Sequence, residues 1–199
     1  KEQKIPGKAK PLGYDFSNLD WSYLDNLDVL FHLAAINDTT LNDKELMFKI
    51  NVEDSKKLFQ QALDHGCTRI VYASSTAVYG NGPAPYKEDQ PLNPLNYYAE
   101  SKKLLEEFAF KSAKEVPYAV IVGLRYCNVY GPGESHKGKR ASMIYQLARQ
   151  MREGSPKLFK FGEQKRDYIY IKDVVAANLL ASQATQSGTV NCGSGKAAS

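Results

Sequence analysis

Short apolar runs and amphipathic stretches alternate along residues 27–131, and this alternation constrains the fold more than any other feature. "LDVLFHLAA" (27–35) is apolar and ends in small residues, which suits a buried parallel strand. "NVEDSKKLFQQALDHG" (51–66) offers Asn51 as an N-cap, an apolar stripe through Leu58, Phe59, Ala62 and Leu63, and Gly66 as a stop. "TRIVYASS" (68–75) is the next strand, and the Pro- and Gly-rich stretch 80–96 must be loop. A helix is expected from about Asn96 to Lys114, and "YAVIVGLRYCNVYG" (118–131) begins as a buried strand. Beyond Gly131 the alternation weakens: a helix over 141–154 ending at Gly154, a short strand over 157–161, and a helix over 172–184 that Asp173 can cap. The pattern predicts an α/β fold with a parallel sheet. Sheets of this kind that bind dinucleotides open with a strand, a glycine-rich turn and a helix. No GxGxxG or GxxGxxG occurs. Either the chain is no dinucleotide enzyme, or the first βα unit is absent from these residues.

Composition narrows the function classes. With 43% hydrophobic and 24% charged residues, the chain has the make-up of a globular protein. A net charge of +4 is too weak to argue for nucleic acid, and no aromatic-basic motif, helix-turn-helix or zinc spacing supports it. The charge is compatible with a polyanionic small molecule. Three cysteines without a CxxC make neither a disulfide framework nor a zinc site, which points to a reducing cytoplasm. No apolar run is long enough for a membrane span, no signal peptide opens the chain, and residues 1–11 read as an exposed lead-in. The absence of GxSxG removes the nucleophile elbow of many hydrolases. His32, mid-strand, reads as a core residue; His65 sits at a helix end.

The chemistry is expected in "NYYAESKKLLEEF" (96–108). Of the four Tyr/Lys pairings, only Tyr98 with Lys102 has the i, i+4 spacing that puts both on one helix face. A cation one turn away favours the phenolate, lowers the phenol pKa and makes tyrosine a usable base. The alternative is an ordinary solvated helix face. "ASSTAVYG" (73–80) adds Ser74 and Ser75 at the carboxyl end of a parallel strand, where open α/β sheets place ligands. A serine hydroxyl there can bond a substrate oxygen beside the tyrosine.

With "LFHLAA", "YASSTAVYG", "YAESK", "LRYCNVYGPG" and "RDYIYIKDV" in this order and spacing, the chain resembles the extended short-chain dehydrogenase/reductase family, which contains nucleotide-sugar epimerases and dehydratases. The resemblance runs from about Leu12 to Gly195. It implies a Rossmann-type doubly wound parallel sheet, its first βα unit missing, with a smaller, incomplete C-terminal substrate domain. The division it implies is a cofactor domain over 1–131, a substrate-binding segment over 132–165, a helix returning to the cofactor domain over 166–187, and further substrate-domain structure from 188 to 199. It implies Ser75, Tyr98 and Lys102 as the catalytic trio, with Asp15, Ala34, Ala35, Asn51, Lys102 and Val129 at the cofactor.

Within the family, "HKG" (136–138) and "SPKLF" (155–159) resemble a branch of 6-epimerases acting on an ADP-sugar. That likeness implies Lys137 as a second acid/base. It implies Ser75, Asn128, Lys139, Gln146, Phe159 and Arg166 as substrate contacts, with Arg166 on the pyrophosphate. The plainer readings are a flexible basic loop for "HKGKR" and a surface ion pair with Asp167 or Glu163 for Arg166. The resemblance implies NADP, with NAD open, and a homo-oligomer pairing through the helices at about 51–65 and 97–114. Alternatives are another nucleotide-sugar epimerase, an inactive dinucleotide-binding member, or a 4,6-dehydratase. A dehydratase carries an Asp-Glu pair after the strand-end residue, where this chain has Thr76 and Ala77.

Overall fold

A computed structural model describes residues 16, 19–21, 24 and 27–199. Asp15 and the lead-in lie outside the described residues, as does the Phe159 side chain. Four strands, β1 (Leu30–His32), β2 (Arg69–Ser75), β3 (Val120–Tyr126) and β6 (Gly188–Cys192), form one sheet in the order β1-β2-β3-β6. All three pairings are parallel, and β2 and β3 run in register from Arg69 beside Val120 to Ser75 beside Tyr126.

Side chains alternate across a strand, so each strand feeds two cores. On one face Ile70, Tyr72 and Ile121 pack with Phe59, Ala62 and Leu63 of helix α2 (Ser55–Asp64) and with Leu105 and Ala109 of α3 (Tyr97–Glu115). On the other, Val71, Val122 and Leu124 pack with Val174 of α5 (Ile171–Ala181). Strands covered on both faces have no polar side, which explains their near-continuous apolar sequence. Gly123 lies opposite Tyr72, and a Cβ there would come within 2.5 Å of the phenol ring. Glycine is needed for that close approach.

A second, small sheet joins β4 (Asn128–Tyr130), β5 (Arg166–Tyr170) and β7 (Ala197–Ala198), with β4 parallel and β7 antiparallel to β5. The stretch 118–131, expected to begin as a buried strand, holds two strands, β3 and β4, parted at Cys127, whose N–H bonds the Cys192 carbonyl at 2.9 Å.

Several expectations need correction. Residues 188–192 do not open further substrate-domain structure; they form β6 of the main sheet, because β3 offers them a parallel edge. Residues 166–187 hold strand β5 as well as helix α5. Asn51 does not cap a helix. The helical stretch already begins at α1 (Lys44–Phe48), capped by Asp43, and passes through a wide π turn (Lys49–Asp54) into α2, with Asn51 inside the turn and 1% exposed. Residues 157–161 make no strand: a 3-10 turn spans Phe159–Gly162, and positive φ at Phe161 and Gly162 is incompatible with extended backbone. Asp173 lies in the first turn of α5, whose N-cap is Tyr170. Helix α4 (Met143–Glu153), capped by the Ser142 hydroxyl, buries none of its residues.

Candidate active site

The Asn96 side chain accepts the Ala99 N–H at 2.8 Å and starts α3 where the Pro-rich loop ends. Tyr98 and Lys102 then share a helix face, with the Lys102 Nζ 5.8 Å from the phenol ring centroid. Tyr97 turns instead toward Lys44 and Phe48. Lys103 pairs with Glu107 at 3.8 Å on the surface. The spacing argument thus selects the pair that the fold brings together.

Lys102 is 4% exposed, and its Nζ donates to the Ala73 carbonyl of β2 at 2.9 Å. Burial pulls its pKa down to about 8, opposed by the Glu106 carboxylate one turn further along α3. For Tyr98 the direction runs against expectation. Burial raises the phenol above its usual range, and the Ser75 hydroxyl offsets only part of this. Desolvation of the anion outweighs that hydrogen bond, so the resting phenol is protonated.

The two serines have separate surroundings. Ser75 is half-buried beside Tyr98, and its Oγ accepts the Ala77 N–H at 3.2 Å. Ser74, 2% exposed, points into the sheet–helix layer and donates to Glu106 Oε1 at 2.5 Å. Glu106 belongs to a buried polar network that sequence reasoning missed. Arg125 Nε and Nη2 fork onto Glu106 at 3.0 and 2.7 Å, and Nη1 donates to the Tyr79 hydroxyl at 2.6 Å and the Glu88 carbonyl at 3.1 Å. Tyr79 in turn donates to Asn191 of β6 at 2.7 Å. An arginine inside the apolar run "VIVGLRY" was the available signal, because a buried guanidinium must find a carboxylate.

Asn51 ties the loop after β1 to helix α3. Its Oδ1 accepts the Ile36 N–H at 2.8 Å, and its Nδ2 donates to the Ile36 carbonyl at 2.9 Å and Ser101 Oγ at 3.1 Å. Ser101 donates to the Tyr98 carbonyl at 2.7 Å. Ala34 is exposed and Ala35 half-buried just beyond β1. This side of the site can take a dinucleotide: small residues permit close approach, and Lys102, with one hydrogen bond, retains two N–H donors for ribose hydroxyls.

A second group surrounds Glu134, which is 4% exposed. Desolvation works to raise its pKa. Hydrogen bonds from Ser142 N, Ser142 Oγ and Gly131 N, at 2.6, 2.8 and 3.1 Å, outweigh that and hold it below the usual carboxylate range. The "HKGKR" stretch folds around this anchor as 3-10 turns over Glu134–Arg140, kinked at Gly138. Lys137 Nζ lies 3.9 Å from Glu134, with 42% of its side chain exposed. Gln146 Nε2 donates to the carbonyls of Lys139 and Ala141 at 3.1 and 2.7 Å, bracing the basic turn from α4. No hydrogen bond or ion pair joins Lys137 to Tyr98 among the described residues.

A third group lies on the small sheet. Asn128 Nδ2 donates to the Asp167 carbonyl at 2.9 Å, Val129 packs in the α5-side core, and exposed Arg166 opens β5. Arg166 forms no ion pair with Asp167 or Glu163 among the described residues; its Nη1 donates to the Lys165 carbonyl at 2.9 Å. Asp167 instead accepts from Ser194 N, Ser194 Oγ and Gly195 N at 2.8, 2.8 and 2.9 Å. Among the described residues there is no metal-binding cluster and no helix long and apolar enough to cross a membrane.

Ser75, Tyr98 and Lys102 thus lie together at the carboxyl end of β2, in a parallel sheet of the layout that short-chain dehydrogenases/reductases have. The chain matches the NAD dependent epimerase/dehydratase family over residues 15–193 and belongs to it. It is 41% identical over 191 residues to an ADP-L-glycero-D-manno-heptose-6-epimerase of Brachyspira hyodysenteriae, covering 92% of this chain and 60% of that protein. The crystal structure of the Helicobacter pylori ADP-L-glycero-D-manno-heptose-6-epimerase is 42% identical with a TM-score of 0.84, covering 92% of this chain and 59% of that one. UDP-glucuronic acid 4-epimerase from Bacillus cereus, solved with UDP-glucuronic acid and NAD, is 28% identical with a TM-score of 0.79, covering 93% and 60%. The chain thus spans about three-fifths of the length of these relatives.

Proposed function

We propose that this chain is the catalytic core of an epimerase that interconverts ADP-D-glycero- and ADP-L-glycero-D-manno-heptose at C6, supplying a lipopolysaccharide heptose precursor in the cytoplasm. The observation that carries this reading is the meeting of Tyr98, Ser75 and Lys102 at the end of β2, in a chain 41% identical to a heptose epimerase. NADP is the proposed cofactor, with NAD as the alternative that the family name supports. No glycine-rich turn occurs in these 199 residues. A homo-oligomer pairing through α2 and α3 is part of the proposal.

Bound nicotinamide would supply hydride acceptance and return. In one direction the Tyr98 phenolate, formed by loss of the phenol proton to solvent, accepts the C6 hydroxyl proton from one side of the carbon, and Lys137 Nζ gives a proton to the oxygen on the other side as hydride returns; the reverse direction exchanges these roles. One group cannot reach both hydroxyl orientations within hydrogen-bond distance. Ser75 orients the sugar oxygen. Lys102 holds the cofactor ribose and stabilises the Tyr98 anion during the oxidative half. Asn128 and Arg166 face the nucleotide-sugar, with the Arg166 guanidinium on the pyrophosphate; Lys139, Gln146 and Phe159 complete the substrate contacts.

The test is Tyr98→Phe and Lys137→Ala in the full-length protein, assayed from each epimer. Both substitutions are expected to cut epimer formation by about 10²–10⁴ in either direction. Unchanged turnover both ways in either variant excludes the two-base reading.

A further inference from the structure

Glu106 lies one turn beyond Lys102 on α3, where i, i+4 spacing places both on one face. Two successive residues of β2 receive them: the Ala73 carbonyl accepts the Lys102 ammonium, and the Ser74 hydroxyl donates to the Glu106 carboxylate. Both side chains are buried, at 4% and 6% exposure. Arg125 fixes both Glu106 oxygens at 3.0 and 2.7 Å, so the carboxylate cannot swing away. Through Arg125 and Tyr79 the same network holds the Glu88 carbonyl, in the Pro-rich loop, and Asn191 of β6.

We propose that Glu106 is a positioning residue for the catalytic lysine: a carboxylate clamped by Ser74 and Arg125 that serves as the fixed counter-charge keeping the buried Lys102 protonated. The role rests on the functional reading given above for Lys102, and deepens it. Few other groups in this layer can supply the charge. The titratable groups facing the pair are His32 from β1, Tyr72 from β2, Tyr79 from the turn after β2, Arg125 from β3 and Tyr98 from α3 itself. Histidine and arginine add no negative charge, and the three phenols are all raised by burial. Glu106 is the carboxylate among them, ion-paired with Arg125, and it opposes the desolvation of Lys102; the Glu88 carboxylate acts on Tyr79 instead. The Arg125 guanidinium holds the carboxylate from the β3 side at 2.7 Å, and Glu106 acts on Lys102 through its charge, one helical turn away, without a direct ion pair.

The test measures Lys102 directly. The full-length protein, labelled at lysine side chains, is titrated by NMR as wild type, as Glu106→Gln, and as Glu106→Gln with Arg125→Met. The double variant avoids stranding a buried guanidinium should the single variant fail to fold. Lys102 is expected to lose its proton about one pH unit lower, or more, in Glu106→Gln, and lower by a smaller margin in the double variant, which also loses the opposing Arg125 charge. The high-pH limb of kcat is expected to move down in parallel, and Glu106→Asp to restore part of both shifts. An unchanged Lys102 titration in a folded variant overturns the proposal. A shifted titration with undisturbed epimer formation would leave the counter-charge role standing and overturn the catalytic role of Lys102 instead.

Discussion

His32 is 5% exposed on β1, with its Nε2 2.8 Å from Ser55 Oγ and its ring edge-on to Phe59. Burial lowers its pKa to about 4, with the Lys102 charge adding in the same direction. The folded state therefore resists a proton that the unfolded chain accepts below about pH 6.5. Its contribution, about 3 kcal/mol, is complete above that pH and is lost as pH falls toward about 4. Denaturant midpoints measured between those two pH values should fall steeply for the wild type and less steeply for His32→Gln; parallel curves would refute this. At this scale the sequence was a partial guide. The Tyr98–Lys102 spacing and the core position of His32 could be read directly, since both follow from helix and strand periodicity. The direction of the Tyr98 shift could not, because desolvation depends on what covers the phenol. Nor could the division of labour between Ser74 and Ser75, which turns on which face of β2 each occupies.

Strand β3 carries the steric lock of the sheet. Gly123 leaves room for the Tyr72 ring across the β2–β3 pair, and Tyr72 reaches on to Thr189 Oγ1 of β6 at 3.3 Å. Gly123→Ala should destabilise the fold by about 1–3 kcal/mol through overpacking, despite alanine's better fit to an extended backbone. Chemical denaturation would show it, and Tyr72→Leu in the same background should recover part of the loss. Elements with long-range partners were hardest to read from sequence. Residues 188–192 alternate weakly and gain strand character only from the open edge of β3. Residues 157–161 look apolar enough for a strand, yet the backbone at Phe161 and Gly162 turns left-handed. The helix over 97–115 was legible because its cap, stripe and length all lie within its own residues.

Across the whole molecule, burial is uneven. The layers around β2 and β3 hold both cores, whereas α4 buries no residue of its own. Native-state hydrogen exchange should find the β2 and β3 amides opening only with global unfolding and the α4 amides opening well before them. Equal protection in the two regions would contradict this. The alternation of strands and helices disclosed this layered plan, since it is written as local periodicity over most of the chain. The wide turn at Lys49–Asp54 was invisible, because a π turn leaves no composition signal. Yet it sets the phase of everything after it. One additional residue rotates the subsequent side chains by about 100° relative to a regular α-helix. Met47 before the turn and Phe59 after it are both fully buried, and the offset brings them toward one face. Deleting a single residue there would preserve the helix and leave one of those two side chains pointing at water.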